Sequence, residues 1–319
     1  MPSITTYDIT NNQGDTITIA NFGARLIKWQ TSVDSECRDV IIGYDKINDY
    51  LEDPFYLGAI AGPYANRVAN AKCTIDGKSI NLSANEGNNQ LHGGDKGLSE
   101  QLWQCVNRTK STITLSCTLE DGFNGYPGDI TTTVQYFISK ASELIISIMV
   151  STDKTTIAGP TSHPYFNLNA DNSTQHTLQV NAEHYTPVNS KGIPLDEIKQ
   201  VVHSSYDFRL AKDISSNDDA LQLDDNFITS LTDTSIEQKM YHQATLKSKD
   251  EKLTLNVSSN YPAIQVYTGQ HLQSPFKPKQ GICLEPQFCP DSPNQSAFPF
   301  HLTLTDSPLE TVICYELVK

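Results

Sequence analysis

The chain is dominated by short segments in which apolar and polar residues alternate with a period of two. Many of these segments are rich in Thr, Val and Ile, which favour extended backbone. This alternation is typical of strands with one buried face and one face toward solvent. The strands predicted in this way span residues 16–19, 112–116, 130–136, 144–150, 253–257, 264–267, 302–304 and 311–317.

Turn signals separate these segments, and helical periodicity is missing. Gly follows Asp or Asn at 76–77, 121–122 and 124–125, and Pro-Gly occurs at 127–128. No stretch of a dozen residues carries the i, i+3, i+4, i+7 apolar pattern, so helix is expected only as one or two short turns. The polar stretch 213–225 is expected to be a surface excursion. We therefore predict an all-β fold, one large antiparallel β-sandwich that forms a single domain over residues 1–319.

Charge and cysteine content restrict the partners and the compartment. The net charge of −14 argues against nucleic acid or an anionic membrane surface as a partner. The seven cysteines are odd in number and include no CxxC pair, so neither a disulfide framework nor a zinc site is indicated. No apolar stretch is long enough to span a membrane. The expected protein is reduced and cytoplasmic.

Motifs for common cofactors are missing from the sequence. GxGxxG, the Walker loop, HExxH and GxSxG do not occur. The histidines other than His92 and His163 show no metal-ligand spacing. We therefore predict no nucleotide, flavin or metal cofactor.

Glu285 is the first candidate for chemistry. It directly follows the apolar run Ile282-Cys283-Leu284 within the segment GICLEPQFCPDSPN. A carboxylate in an apolar setting loses solvation, and such a residue usually has a partner or a chemical task. The alternative is an edge-strand Glu in a structural ion pair.

Two histidines lie in similarly unusual segments. His163 precedes Pro164, which biases it toward extended backbone, and a free imidazole with a pKa of about 6.5 suits proton transfer. His92 precedes Gly93 and Gly94, which permit close approach of a ligand. For His163 the alternative is a hydrogen-bonded core histidine, and for His92 it is an exposed loop histidine. One acid and two histidines together indicate acid–base chemistry on a polar small molecule.

Further residues have hydrogen-bonding potential toward such a molecule. Arg67, after Asn66, could donate to hydroxyls or hold a carboxylate such as Glu285, and Asp224 could accept bonds from vicinal hydroxyls. Each could instead be an ordinary solvated surface residue. The aromatic candidates for packing on a sugar face are Trp29, Trp103, Tyr165 and Tyr267.

Taken in order, these segments resemble the aldose 1-epimerase family, also called galactose mutarotases. The resemblance runs from Asn21 to Asn294 through ordered short motifs. The motifs are NFGA, DVIIGY, GPYANR, NNQLHGG, DGFNGYPG, HPYFNL, YTPVNSKGIP, DDNF, YTG and LEPQFCPDSPN.

The resemblance implies a fold, an activity and a set of roles. The fold would be a large antiparallel β-sandwich with a sugar cleft. The activity would be interconversion of the α and β anomers of a free monosaccharide, without a cofactor. Position by position, Glu285 matches the general base, His163 the general acid and His92 a second active-site histidine. Arg67 and Asp224 match sugar-binding residues, and Asn66 and Gln287 lie beside matched positions.

Some positions depart from the commoner family pattern. Pro63 stands where many members have Arg, Pro164 follows His163 where a small or hydroxyl residue is frequent, and residues 194–196 read Pro-Leu-Asp. These departures bear on substrate preference and remove no proposed catalytic group.

Three other functions compete with this interpretation. A glycoside hydrolase could use Asp224 and Glu285 as its carboxylate pair, which would leave both histidines without roles. A hexose-phosphate mutarotase would need clustered Lys or Arg at its cleft. A sugar-binding module without catalysis would not need Glu285, His163 and His92 together.

The assembly is expected to be a monomer or a homodimer.

Overall fold

The structure is a computed structural model that describes residues 3–170, 174–214, 222–231 and 239–319. Most of the polar stretch 213–225 lies outside the described residues.

The described residues fold mainly into strands. In chain order these are β1 (Thr6–Thr10), β2 (Thr16–Ala20), β3 (Arg25–Val33), β4 (Glu36–Asp39), β5 (Ile60–Ala61), β6 (Arg67–Val68), β7 (Lys72–Ile75), β8 (Lys78–Asn81), β9 (Gln90–Leu91), β10 (Gln104–Arg108), β11 (Thr112–Leu119), β12 (Ile130–Ile138), β13 (Glu143–Thr152), β14 (Thr161–Ser162), β15 (Tyr165–Phe166), β16 (His176–Val180), β17 (His184–Thr186), β18 (Lys199–Gln200), β19 (Lys212–Ile214), β20 (Asp224–Ile228), β21 (Tyr241–Ser248), β22 (Thr254–Ser259), β23 (Ala263–Tyr267), β24 (Ile282–Gln287) and β25 (Leu309–Val318).

Helix is limited to short 3₁₀ segments in the part of the chain that the structure describes. These are Ile47–Glu52, Ala69–Ala71, Leu98–Glu100, Phe123–Gly125 and Ser292–Asn294. There are more of them than the one or two turns expected, and each is six residues or shorter. Within the described ranges, no helix has the length and apolar character needed to span a bilayer.

The largest sheet has nine antiparallel strands in the order β10-β11-β12-β13-β25-β22-β21-β16-β19. Its central strands alternate buried and less buried residues, as in β13, where Leu144, Ile146, Ile148 and Val150 are buried. This period-two burial is the physical counterpart of the alternation in the sequence.

A second antiparallel sheet has the order β15-β24-β23-β20-β17-β18. Leu284 of β24 and residues of the nine-stranded sheet belong to one apolar core. Tyr315 of β25 connects the two sheets, because its ring lies 5.0 Å from the ring of Phe166 and its hydroxyl donates to the carbonyl of Leu284 at 2.9 Å. The two sheets thus pack face to face as predicted, and the other face of the six-stranded sheet is free to form a cleft.

The predicted strands are confirmed except for the segment 302–304, where the prediction was wrong. Thr303 forms an isolated bridge with Thr156, and Leu304 pairs with Ser307 across a tight turn. Alternation over three residues fits a strand, but no neighbouring described segment runs alongside long enough to form a ladder. The smaller sheets are β1-β2-β3-β4, β14-β5, β6-β9 and β7-β8.

Candidate active site

The candidate residues meet in a cavity of 230 Å³ on the free face of the six-stranded sheet. Its lining includes Arg67, His92, His163, Asp224, Gln265 and Glu285. A larger cavity of 480 Å³, lined by Lys28, Asp39 and Asn167 among others, contains none of the candidate acid–base residues. The smaller cavity is therefore the candidate active site.

Strand alternation explains why β24 supplies the central carboxylate. Ile282 and Leu284 belong to the large apolar core, so Cys283 and Glu285 point to the opposite, cleft face. In register, Glu285 pairs with Gln265 of β23. β24 lies between β15 and β23, so Glu285 belongs to an interior strand rather than to an edge strand.

Glu285 is almost completely buried, with 2% of its surface exposed. Its Oε2 atom has no hydrogen-bond partner among the described residues. Burial raises the pKa of Glu285 well above its usual value, and the nearby Asp224 carboxylate raises it further. A buried carboxyl that titrates at unusually high pH is the behaviour expected of a group that exchanges protons.

His163 lies in the short link between β14 and β15, where main-chain bonds fix it. Its N–H donates to the carbonyl of Ala59, and its own carbonyl accepts from the N–H of Gly58. Its imidazole Nε2 is 3.6 Å from Oε2 of Glu285. Burial lowers the pKa of His163 to about 4, against a smaller opposing effect of a hydrogen bond to its own main chain.

His92 presents a second buried imidazole, with a backbone φ of +50°. Its Nδ1 accepts a hydrogen bond from the main-chain N–H of Asn66 at 3.1 Å, so its hydrogen must lie on Nε2. Burial, together with His163 and Arg67, holds the pKa of His92 well below its usual value. His92 is thus a neutral hydrogen-bond donor. The next residue, Gly93, is required, because a Cβ there would lie 2.1 Å from the carbonyl oxygen of Gly62.

The sequence analysis considered Glu285 as a carboxylate partner of Arg67, but the guanidinium pairs with Glu86 instead. Its Nε and Nη2 donate to the two carboxylate oxygens of Glu86 at 2.7 and 2.8 Å. This two-point contact fixes the guanidinium plane and leaves Nη1, which lies 3.9 Å from Asp224. Gly192 packs against the same guanidinium, since a Cβ on it would lie 2.7 Å from Nη1.

The other predicted site residues are only partly brought together. Asn66 lines the cavity, and its side-chain oxygen accepts from the N–H of Arg67. Gln287 is fully buried, donates to the carbonyl of Phe288 and is not among the lining residues. Of the four aromatic candidates, Tyr165 and Tyr267 line the cavity, whereas the two tryptophans are core residues.

Several lining residues were missed in the sequence, and three of them contact predicted site residues. Glu86 holds Arg67, Gln265 donates to Asp224 at 2.8 Å, and the ring of Tyr56 lies 4.6 Å from that of His92. Gln265 precedes Tyr267 by two positions in a predicted strand, so period-two alternation from Tyr267 was a usable signal. Tyr56 carries no comparable sequence signal, and its left-handed φ of +57° is visible only in the structure.

Among the residues that the structure describes, one group of side chains has metal-ligand chemistry. Ligand atoms of His163, Cys283 and Glu285 all lie within 4.8 Å of one another. The imidazole, however, has a different partner at each nitrogen, with Cys283 Sγ 3.6 Å from Nδ1 and Glu285 3.6 Å from Nε2. The imidazole thus lies between a thiol within hydrogen-bond distance and a carboxylate slightly beyond it, and we assign no metal to this group.

Comparison with known proteins relates the whole chain to one family. The sequence pattern of the aldose 1-epimerases matches residues 5–307. The chain is 35% identical over 305 residues to the aldose 1-epimerase of Escherichia coli K12, covering 91% of this chain and 88% of that protein. It is 32% identical over 277 residues to galactose mutarotase of Bos taurus, covering 82% and 78%. The crystal structure of the GalM/aldose epimerase homologue from C. elegans superposes with a TM-score of 0.92 at 26% identity, covering 99% of both chains.

Proposed function

Because this chain belongs to the aldose 1-epimerase family, we propose that the cavity around Glu285 opens and recloses the ring of a free aldohexose such as galactose or glucose. The activity is an isomerisation of α and β anomers. It needs one proton removed from the C1 hydroxyl and one delivered to the ring oxygen. The buried pair of Glu285 and His163 carries the proposal, since it places two proton-exchanging groups 3.6 Å apart in a sugar-sized cavity.

The proton balance of the pair explains how buried groups can do this work. Burial favours the neutral form of each group. In the free protein the carboxyl group of Glu285 is therefore protonated and the imidazole of His163 is uncharged. Transfer of that proton to His163 gives carboxylate and imidazolium without changing the net charge. A sugar that donates its C1 hydroxyl to Glu285 and accepts at its ring oxygen from His163 favours this charged form.

Ring opening then follows from the charged form. The Glu285 carboxylate takes the C1 hydroxyl proton while the imidazolium of His163 gives its proton to the ring oxygen. The open-chain aldehyde rotates about C1–C2, and attack on the other carbonyl face returns both protons. Each acid–base contribution is typically about 10²–10⁴-fold.

The remaining lining residues orient the sugar. Arg67 Nη1 and the neutral His92 are donors, and the Asp224 carboxylate is an acceptor for hydroxyls. Gln265 adds an amide whose oxygen has no partner among the described residues. Asn66 acts indirectly, because its main-chain N–H holds the ring of His92.

The experiment that tests this function follows the optical rotation of freshly dissolved α-D-galactose, repeated with α-D-glucose. Wild-type protein should accelerate equilibration, and Glu285→Gln should lower kcat by about 10²–10⁴-fold because the amide cannot accept the proton. Asp39→Asn makes the same change in the separate 480 Å³ cavity and should retain full activity. No acceleration by the wild type with either sugar would refute the function, and an active Glu285→Gln would refute the role of the base.

A further inference from the structure

We propose that Tyr56 is a positioning residue whose ring covers the imidazoles of His92 and His163 and keeps water away from them. This inference rests on the acid–base role proposed above for His163. Tyr56 acts on the reaction through the two imidazoles, and this role needs its aromatic ring rather than its hydroxyl.

The ring of Tyr56 lies against both histidines. Its centroid is 4.6 Å from that of His92 and 6.1 Å from that of His163, and the two imidazole centroids are 5.4 Å apart. The three rings therefore form one cluster in the wall of the active cavity. Tyr56 is half-buried, whereas His92 and His163 are only 6% and 5% exposed. This difference in exposure places the phenol ring on the solvent side of the cluster.

The backbone at Tyr56 has a conformation that its neighbours must hold in place. Its φ of +57° is rare for a bulky residue and persists only where the surrounding structure fixes it. The Asp53 carboxylate accepts the N–H groups of Phe55 at 3.1 Å and Leu57 at 2.8 Å, one on each side of Tyr56. The carbonyl of Tyr56 accepts from the N–H of Ala59 at 3.0 Å. These bonds fix the direction in which the ring leaves the main chain.

A buried ion pair anchors this segment. The guanidinium of Arg25 lies 2.5 Å from the carboxylate of Asp53, and the two side chains are 1% and 0% exposed. Arg25 also donates to the carbonyls of Leu57 at 2.9 Å and Ser99 at 3.2 Å. Burying two charges is unfavourable unless each finds hydrogen-bond partners, and here several of those partners are main-chain groups next to Tyr56. The ion pair therefore holds the segment that carries the Tyr56 ring.

Covering the imidazoles has a chemical consequence for the proposed reaction. Burial lowers the pKa of His163 to about 4 and holds that of His92 well below its usual value. His163 is then uncharged in the free protein and ready to accept the proton of Glu285 when a sugar binds. Water in contact with the rings would stabilise the imidazolium before a sugar arrives. His163 would then no longer accept that proton.

Replacing Tyr56 would change solvation without removing a charge. Burial raises the pKa of its phenol to about 12, so the group is neutral at physiological pH. The other titratable and charged groups around the two imidazoles would stay in place. They are Glu285, Cys283, Tyr165, Arg67 and the ion pair of Asp53 with Arg25.

A pH titration by nitrogen-15 NMR of protein labelled at histidine reads the covering without any turnover. The His163 signals are those that disappear in His163→Gln. Tyr56→Gly removes the ring at a φ that glycine adopts without strain, and it should raise the titration midpoint of His163 by about one pH unit or more, toward the free-imidazole value of about 6.5. Tyr56→Phe keeps the ring and should titrate as wild type does. Tyr7→Ala removes another half-buried tyrosine, on β1 and outside the cavity lining, and should leave the midpoint unchanged.

The acidic limb of kcat/KM for α-D-galactose provides the second readout, because it reports protonation of the free enzyme. Since protonated His163 cannot accept the proton of Glu285, activity should fall as pH drops through its midpoint. Wild type should lose less than about twofold between about pH 7.5 and pH 5, whereas Tyr56→Gly should lose about tenfold. Tyr56→Phe and Tyr7→Ala should follow the wild-type profile.

The outcomes separate this inference from the proposed function. An unchanged His163 midpoint in Tyr56→Gly would overturn the covering role, even if the protein is an active mutarotase. An equal rise in Tyr56→Phe or in Tyr7→Ala would also overturn it, because the effect would not depend on this ring. A raised midpoint in Tyr56→Gly alone, in a protein that does not accelerate mutarotation, would support the covering and refute the function. If Tyr56→Gly does not fold, Tyr56→Ala takes its place, and a wild-type His163 that titrates near its ordinary value is sufficient to refute the proposal.

Discussion

At the scale of single residues, the proposed active site depends on burying groups that prefer water. Glu285 and His163 are each almost fully buried, and each is pushed toward its neutral form. The free energy lost by burying the carboxylate is regained only when a proton or a sugar hydroxyl is bound. The residues proposed to carry out the reaction therefore lower the stability of the folded chain.

This instability has a measurable dependence on pH. Because the pKa of Glu285 is raised above 4.5, the folded chain keeps a proton that the unfolded chain releases. The contribution of Glu285 to stability is therefore present below pH 4.5 and is lost as pH rises toward its folded-state pKa. Glu285→Gln lacks this titration, so its melting temperature should increase relative to wild type as pH rises above 4.5.

Calorimetric melting curves of the two proteins at a series of pH values would check this. Glu36→Gln, which makes the same substitution at an exposed position of β4, serves as the control for changing a carboxylate to an amide. A difference between wild type and Glu285→Gln that stays constant from about pH 4.5 to pH 8 would show that Glu285 is not desolvated in solution.

The sequence identifies residues of this kind only when their surroundings are local. Glu285 follows its own apolar run, and His92 precedes two glycines, so composition alone marked both. Glu86 contacts Arg67 from 19 positions away and Tyr56 reaches His92 from 36, and no local pattern encodes either contact. Residues positioned by tertiary contacts were therefore missed.

At the scale of elements, long strands were predictable and short ones were not. β13 and β25 carry enough alternating positions to reveal their buried face. β14 and β15, which bracket His163, have two residues each and are held by β5 and β24. Their extended state results from pairing within the folded chain, which a period-two pattern of two residues cannot display.

The turn around Gly192 is an element with a testable role in binding. Gly192 has a φ of +70° and its Cα lies against the guanidinium of Arg67. Gly192→Ala should displace Arg67 from its contact with Glu86 and raise KM for galactose by about tenfold, the value of one charge-assisted hydrogen bond. The effect on kcat should be smaller. Initial rates by polarimetry over a range of galactose concentrations would measure both.

Backbone strain from the new methyl group needs its own control. Gly77 has a φ of +74°, and a methyl group added there would have no atom within 4 Å, so Gly77→Ala imposes the same strain without touching Arg67. It should cost about 1 kcal/mol of stability and leave KM unchanged. Equal KM values for Gly192→Ala and wild type would argue against packing of the turn on Arg67.

At the scale of the whole molecule, the net negative charge of the chain should favour a neutral substrate over a phosphorylated one. The chain carries a net charge of −14, and among the residues that line the active cavity Arg67 is the single Lys or Arg, already paired with Glu86. An anionic substrate would be repelled at low ionic strength, whereas a neutral sugar would experience no net force.

Ionic strength should therefore affect kcat/KM strongly for a phosphorylated sugar and only weakly for a neutral one. The kcat/KM for galactose should change by less than about twofold between low and high salt. The kcat/KM for galactose 6-phosphate should be much lower and should rise with salt as repulsion is screened. A 6-phosphate that is preferred at low salt would instead favour the hexose-phosphate mutarotase interpretation.

The central place of β25 has a consequence for synthesis of the chain. This strand comes last among the described elements, yet it lies between β13 and β22 in the middle of the nine-stranded sheet. Until it leaves the ribosome, β13 and β22 each present an unpaired edge that can join a neighbouring nascent chain. The carbonyl of Leu284, beside Glu285, gains its Tyr315 partner at the same moment. We therefore expect mutarotation to begin only when β25 is in place, and stalled chains to aggregate.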